Sequence, residues 1–525
     1  MIVSDEIENK QIAKQYKELL QISYQTLSDG DKKLIRSAFD TAVHAHRNQR
    51  RKTGEPYVLH PINVAKIVAH EIGLDATSIA SALLHDVLED TDLKFKELEK
   101  LFGTGVAKIV EGLTKISRLS IESDISLQAE NFKKLLLTLN EDIRVIIIKI
   151  ADRLHNMQTL DAMTEEKQLK ISSETLYIYA PLAHRIGLYN IKTELEDLSF
   201  KYTEPDRFES IKNNIEESKE EQSSYIKSFS KIIKNALAEE ALEYSIKGRS
   251  KSIFSINRKM TRQNIPFEKV FDKFAIRVVY NSTHRNEKFL AWKIYSIVTD
   301  HFVPNPTRLR DWITSPKSNG YEALHITVMG PDNKWVEVQI RSERMNEIAE
   351  KGYAAHHKYK QGGQKDIGIE SWLDKLHEVL ENNAENPVDF VENFKLNLYA
   401  KEIFVFTPTG DIKSLPKGAT ALDFAFNIHT EIGMKTRGAR VNGKLVPLSR
   451  ALKSGEHVEI ITSENIKPTA NWLDFVQTSR AKSKIKSSLN EEKNRIAEDG
   501  RESLRRTLKH LKIKLNDKTV AYLLK

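Results

Sequence analysis

Ala80-Ser-Ala-Leu-Leu-His85-Asp86-Val-Leu-Glu89-Asp90 sets four polar groups within six residues directly behind an apolar run. At i, i+4 spacing on a helix, His85 shares a face with Glu89 and Asp86 shares one with Asp90. Apolar residues recur at helical spacing throughout residues 1–200, and β-branched alternation is scarce, so this part of the chain is expected to be an all-α domain.

Two neighbouring fragments repeat the pattern. Arg51-Lys52-Thr-Gly-Glu-Pro-Tyr-Val-Leu-His60-Pro61 places a histidine just before a proline, a common helix start. Lys149-Ile-Ala-Asp152-Arg-Leu-His-Asn156 puts Asp152 and Asn156 one turn apart on a helix otherwise suited to burial. Charged groups on buried helices are costly unless paired or metal-bound. His60, His85, Asp86 and Asp152 offer a mixed imidazole and carboxylate set suited to Mn²⁺, Fe²⁺ or Zn²⁺. Helix caps and salt bridges are the structural alternative, and the grouping of all four favours metal. Such an ion lowers the pKa of a bound water, leaving Glu89 and Asp90 to orient that water or shuttle protons.

Beyond residue 200 the character changes. Residues 201–245 are polar and charged and are expected to be exposed helices joining two bodies. Phe274–Tyr280, Leu324–Met329 and Trp335–Arg341 read as strands with helices between them, an α/β domain over 246–365. A flexible break at Gln361-Gly-Gly and a helical connector over 366–398 follow. Residues 399–463 read as a β-rich module with turns at Thr409-Gly-Asp, Val441-Asn-Gly-Lys and Lys453-Ser-Gly-Glu. Residues 464–525 begin a basic helical region.

A second group of polar residues lies in the α/β part. Gly248-Arg249-Ser-Lys251-Ser-Ile-Phe-Ser255-Ile-Asn-Arg258-Lys259 clusters cations after a glycine without forming a Walker loop. It could neutralise a triphosphate, though alone it is the pattern of a basic surface helix. Two carboxylates raise its weight. Asp272 heads the strand Phe274–Tyr280, and period-two alternation puts Glu337, Gln339 and Arg341 on one face of the next strand and Val336, Val338 and Ile340 on the other. A carboxylate among cations can hold Mg²⁺ or accept a proton from a hydroxyl; a surface salt bridge is the bland alternative. Between them, Arg308-Leu-Arg310-Asp311-Trp312 and Lys317-Ser-Asn319-Gly-Tyr321-Glu-Ala-Leu-His325 add cations, a turn and a ring able to stack on a purine.

These fragments together resemble the bifunctional RelA/SpoT homologue family of (p)ppGpp synthetase/hydrolases, whose hydrolase half belongs to the HD phosphohydrolase superfamily. The resemblance covers roughly residues 20–480 and also rests on Tyr179-Ala-Pro-Leu-Ala-His-Arg-Ile-Gly187 and Gly352-Tyr-Ala-Ala-His-His-Lys358. It implies that His60, His85, Asp86 and Asp152 bind Mn²⁺, that Glu89 and Asp90 drive attack on a 3′-pyrophosphate, and that Arg51, Lys52 and Asn156 hold the nucleotide. All these positions are filled as a competent hydrolase requires. It further implies a synthetase moving the β,γ-pyrophosphate of ATP to the 3′-oxygen of GDP or GTP. There Asp272 binds Mg²⁺, Glu337 is general base or second metal contact, and Tyr321 stacks on guanine. Arg249, Lys251, Ser255, Lys259, Arg310, Lys317, Asn319, His325, Gln339 and Arg341 line the nucleotide. The basic 308–311 segment is that of hydrolase-competent members; Arg310 replaces their usual lysine and Trp312 their usual tyrosine, both read as tolerated.

Glu402-Ile-Phe-Val-Phe-Thr-Pro-Thr-Gly-Asp411 and Leu415-Pro-Lys-Gly through His429 resemble a TGS domain, a small β-grasp module. In this family it meets the 3′ end of uncharged tRNA. His429 is the candidate contact, with a capping or core role as the alternative. The family's usual zinc-binding or RNA-recognition-like and ACT domains are not found, so a shortened chain is expected.

Composition bounds the rest. The net charge is +8, and from Arg480 onward there are 14 Lys/Arg against 6 Asp/Glu, so the tail carries the whole surplus. That suggests RNA, tRNA or the ribosome as partner; a solvated helix face is equally compatible. Cysteine is absent, which excludes disulfides and cysteine nucleophiles. The N-terminus has no signal-peptide pattern, and a soluble, cytoplasmic protein is expected. Two rival functions are an HD-type phosphohydrolase of another nucleotide with a degenerate second half, and a non-enzymatic tRNA or ribosome sensor. The retained Asp272 and Glu337 count against the first, and the complete metal set against the second.

Overall fold

The computed structural model describes residues 2–23, 27–117, 142–240, 242–270, 273–317, 320–352 and 402–510. The chain divides into two compact units. The first holds the N-terminal helices and the α/β region; the second holds the C-terminal β-rich region and long helix.

The first unit opens with α1 (Ile2–Ser23), α2 (Asp29–Ala45), α3 (Leu59–Lys66), α4 (Ala76–Leu83), α5 (Val87–Asp90), α6 (Phe95–Ser117) and α7 (Ile143–Gln158). It continues through α8 (Glu165–Glu174), α9 (Ala180–Arg185), α10 (Tyr189–Thr203), α11 (Pro205–Glu217) and α12 (Lys219–Ala238). The expected all-α domain is present. Helix α4 starts where the Asp75 carboxylate accepts the Ser78 N–H, an N-cap, and it buries every residue but Thr77. In α7 the β-branched run from Val145 to Ile148 stays helical because burial on several sides outweighs its strand preference. Val145 packs closely on Gly112 of α6, where an added Cβ would come within 3.0 Å. One local expectation is corrected. The helix of the opening fragment does not run through: it ends at Leu83, and His85 and Asp86 lie in a turn before the short α5.

The α/β region is a five-stranded sheet of β1 (Tyr244–Ser250), β2 (Phe274–Tyr280), β3 (Arg310–Asp311), β4 (Leu324–Met329) and β5 (Trp335–Ser342), in the order β1-β2-β5-β4-β3. Helices α13 (Ile253–Gln263), α14 (Glu287–His301) and α15 (Glu343–Lys351) connect or follow the strands. Strand β2 runs parallel to β5, and the other neighbours are antiparallel. The three expected strands form as read. The basic cluster at Gly248 begins on a fourth, β1. Ile276, Val278, Val336, Val338, Ile340, Ile326 and Val328 point to one face and form the core with α12 and α14. Burial also corrects the reading of residues 201–245 as exposed. Tyr225, Phe229, Ile233 and Leu237, one turn apart on α12, enter that core, and the polar composition belongs to the other face of the helix.

The second unit pairs β6 (Glu402–Phe406) with β7 (Ile412–Pro416) and sets β8 (Thr436–Val441), β9 (Lys444–Val446) and β10 (Val458–Thr462) in the order β10-β8-β9. Helices α16 (Ala421–Ile428) and α17 (Thr430–Met434) lie between the two sheets in sequence. The β8–β9 hairpin turns on Asn442 and Gly443, both at positive φ, as a tight hairpin of this kind requires. Asp423 is fully buried. Its carboxylate accepts from Thr420, Gln477 and Thr478, tying α16 to the start of α18 (Ser479–His510), the basic helix. The expected connector over 366–398 lies outside the described residues. No helix among the described residues is long and apolar enough to cross a membrane.

Candidate active sites

The His/Asp cluster assembles from α3, the α4–α5 turn and α7. His60 and His85 are each 2 % exposed and Asp152 is 5 % exposed. Ligand atoms of His60, His85 and Asp152 all lie within 4.8 Å of one another. His60 Nε2 is 3.2 Å from Asp152 Oδ1, and His85 Nε2 is 3.9 Å from it. Asp86 closes the group from one side, with Oδ2 3.0 Å from His85 Nε2 and 3.8 Å from His60 Nε2. Nδ1 of His85 meets the Ala82 carbonyl at 2.8 Å, which aims Nε2 inward at the two carboxylates. Two buried imidazole nitrogens converging on carboxylates are the donor arrangement a divalent cation satisfies.

The electrostatics agree. Burial works against a charged His85, but Asp86 and Asp152 outweigh it and hold the imidazole up at about 9. Asp152 is buried, yet Lys149 and the two histidines hold its carboxyl well below the usual range. The pocket thus calls for positive charge at its centre.

Around the cluster is a layer that sequence reasoning did not assign. The Tyr57 hydroxyl donates to Asp86 Oδ2 at 2.6 Å and lies 3.3 Å from Asp90 Oδ2. This places Asp86 and Asp90 on one side, as the i, i+4 spacing predicts. Lys149 donates to Asp152 Oδ2 at 2.8 Å, and His155 Nδ1 meets His60 Nδ1 at 2.8 Å. Lys149 and His155 sit three residues either side of Asp152, a spacing that could have found them. Of the expected nucleotide contacts, Arg51 donates to Asn156 Oδ1 at 3.1 Å, and Asn156 donates to Asp152 Oδ1 at 2.6 Å. Lys52, Glu89 and Asp90 are exposed.

The second site lies on the polar face of the sheet. Cross-strand register sets Glu337 between Ala275 and Thr327, and Gln339 between Arg277 and His325. Arg249 pairs with Ala275, and Arg310 with His325. A directed chain of hydrogen bonds runs across this face. Arg341 donates to the Tyr321 hydroxyl, which lies 2.8 Å from His325 Nε2, and His325 Nδ1 lies 3.3 Å from Glu337 Oε1. Burial lowers the His325 imidazole to about 4, so at neutral pH it is uncharged. Tyr321 then donates to Nε2, and the remaining proton sits on Nδ1, toward Glu337. Although burial opposes it, the contacts from His325, Lys251 and Gln339 hold the Glu337 carboxyl far below its usual range. Lys251 Nζ is 3.9 Å from Glu337, and Gln339 donates to it at 2.7 Å. Burial, with Arg310 and Arg341 nearby, lowers Lys317 to about 8.

Ser255 and Lys259 lie on α13, whose first turn is capped by Ser252. The ring of Tyr321 is only 7 % exposed. Lys317 sits 4.6 Å over it, Arg341 5.0 Å, and Trp312 and Tyr189 meet it edge-on. In this conformation the ring is therefore covered, and a base stacks on it only once Lys317 or Arg341 withdraws. Asp272 and Asn319 lie outside the described residues. A buried cation that sequence reasoning passed over, Arg277, donates to Glu350 at 2.7 Å while its Nε and one Nη have no partner. In the second unit His429 is exposed and caps α17 through Glu431 N–H.

A helical bundle with inward-facing histidines and aspartates from three elements defines the HD class of domain, joined here to a mixed sheet with a cation-lined face. Residues 38–189 match the HD-domain model, residues 248–364 the region found in RelA / SpoT proteins, and residues 403–462 the TGS domain. A GTP pyrophosphokinase of Myxococcus xanthus is 43 % identical over 495 residues, 93 % of this chain and 64 % of the relative. A guanosine-3′,5′-bis(diphosphate) 3′-pyrophosphohydrolase of Aquifex aeolicus is 44 % identical, over 92 % of this chain and 68 % of its own length. The bifunctional (p)ppGpp synthase/hydrolase SpoT of Escherichia coli is 41 % identical, over 94 % and 70 %. A solved metazoan orthologue of SpoT is 30 % identical over 33 % of this chain and 88 % of its own, with a TM-score of 0.24, too low to bear on the fold. The chain belongs to the RelA/SpoT family. It spans about two thirds of the length of these curated relatives.

Proposed function

We propose that the chain both destroys and makes guanosine tetra- and pentaphosphate, at separate sites. The observation that carries this is the buried His60–His85–Asp152 group, whose ligand atoms converge within 4.8 Å. In this reading His60, His85, Asp86 and Asp152 hold Mn²⁺. A cation there supplies the Lewis acidity that activates water at neutral pH. Asp90, linked through Tyr57 to Asp86, and Glu89 take the proton of the attacking water. Arg51, Lys52 and Asn156 orient the 3′-pyrophosphate. Water attacks its phosphorus, the bond to the 3′-oxygen breaks, and GDP or GTP leaves with pyrophosphate. The names of the relatives, a pyrophosphohydrolase and a pyrophosphokinase, support the substrate class.

On the sheet, the ribose 3′-hydroxyl of GDP or GTP attacks the β-phosphorus of ATP and AMP leaves. Glu337, ionised at neutral pH, accepts the hydroxyl proton or contacts Mg²⁺ together with Asp272. Arg249, Lys251, Ser255, Lys259, Arg310, Lys317, Asn319, Gln339 and Arg341 neutralise and place the phosphates. Tyr321 takes the guanine after its covering cations turn to phosphate. The TGS module, His429 and the basic α18 face uncharged tRNA or the ribosome, supported by the TGS match and the charge of the tail. Chromatography of nucleotides tests this directly. The purified chain with alarmone and Mn²⁺ releases pyrophosphate, and with ATP, GDP and Mg²⁺ forms the tetraphosphate. No reaction in either mixture overturns the proposal.

A further inference from the structure

A metal-bound imidazole must offer a lone pair at one nitrogen and carry its proton on the other, and the acceptor of that proton fixes tautomer and ring plane. For His85 the acceptor is a backbone carbonyl, that of Ala82. For His60 it is a side chain. His60 turns Nε2 to the cluster, 3.2 Å from Asp152 Oδ1, and turns Nδ1 to His155 Nδ1 at 2.8 Å. Two imidazole nitrogens this close share one proton, so one donates and the other accepts. His155 is 7 % exposed, its ring tilted 39° against that of His60 with centroids 4.9 Å apart. It rises from the same helix as Asp152, one turn on.

We infer that His155 is a positioning residue for the metal site: its Nδ1 accepts the Nδ1 proton of His60 and so holds the His60 Nε2 lone pair on the cation. His155 then carries its own proton on Nε2; the residue lines a cleft with Lys66, His70 and Thr159. The inference rests on the metal reading of the cluster and adds a residue to it. It also accounts for a histidine at a position that the buried face of α7 would otherwise fill with an aliphatic side chain.

The test is Mn²⁺ alone, titrated into the full chain and followed by the electron paramagnetic resonance of free Mn²⁺. His155→Leu removes the acceptor, and its Kd rises about 10- to 100-fold. His155→Asn places an amide oxygen where Nδ1 lay, and its Kd stays within a few-fold of the wild type. Far-UV circular dichroism and metal-free melting of both variants check the fold. Equal binding by His155→Leu, or equal losses in both variants, overturns the inference. Failure of the wild-type chain to bind Mn²⁺ overturns the metal reading itself, and with it this one. Should His155→Leu not fold, long-range ¹H–¹⁵N spectra of the wild-type chain loaded with diamagnetic Zn²⁺ decide: a proton on His60 Nδ1 is expected, and one on His60 Nε2 contradicts the assignment.

Discussion

Asp152 serves several partners at once. One oxygen meets His60 and accepts from Asn156, and the other accepts from Lys149. Removing a central ligand from such a group takes away a donor and leaves buried charge uncompensated. His85→Ala and Asp86→Ala therefore lose Mn²⁺-dependent pyrophosphate release by at least about 100-fold, the upper end of what disturbing even an outer metal contact costs. Pyrophosphate assays on the variants measure this, and undiminished release contradicts the metal assignment. The groups that could touch the cation were legible in the sequence because carboxylates and imidazoles on an otherwise apolar helix are tolerated only when paired or ligated. Lys149 and His155 carried only their helical spacing from Asp152 as a signal, and Tyr57 carried none, since it is an ordinary residue until its neighbour is known. The covering of Tyr321 by Lys317 and Arg341 was illegible for the same reason: cation–ring contacts join residues whose spacing carries no signal.

Among the helices, α12 shows where composition misleads. Its charge suggested exposure, but the i, i+4 row Tyr225, Phe229, Ile233, Leu237 closes the core of the sheet. Phe229 is fully buried, so Phe229→Ala costs about 3–5 kcal/mol in denaturant unfolding of the α/β region; a loss under about 1 kcal/mol contradicts that packing. Helix α10 joins α7, which carries Asp152, to α13, which carries Ser255 and Lys259. Gln158 at the end of α7 donates to Glu194, and Asp197, one turn on, accepts the N–H of Phe254 in α13. Burial raises the Asp197 carboxyl from 3.8 to about 6. A carboxyl raised on folding gives stability below its unfolded pKa and loses it as pH rises through the folded one. Asp197→Asn keeps the acceptor but not the charge. Its melting temperature is expected to gain on the wild type from pH 4 to pH 6 and to hold that gain above; a difference independent of pH contradicts the shift. The strands were legible from alternation. The break at Leu84–Asp86 was not, because nothing in those residues forbids helix.

The molecule as a whole sets a metal-type cluster and a cation-lined sheet in one unit and a TGS module with a basic helix in another. Both activities running together would consume ATP without net product, so coupling between the sites is expected. By sequence position the polar helices α11 and α12 are placed to carry it, and α10 has the direct contacts on both sides. Adding a non-reacting ATP or GDP analogue for the sheet site should change the rate of alarmone hydrolysis at saturating Mn²⁺, and an unchanged rate counts against coupling. The order of domains was readable because each carries its own motif. How α10 spans them was not, because its contacts, hydrogen bonds and ring packing such as Phe200 on Phe254, join residues far apart in the chain.

Everything proposed for the chain turns on two sites that are chemically separate. Assaying His85→Ala and Glu337→Gln side by side for both reactions puts that separation to the test. His85→Ala is predicted to lose hydrolysis and still make alarmone from ATP and GDP, while Glu337→Gln is predicted to lose synthesis and still hydrolyse. Loss of both reactions in either folded variant would contradict it.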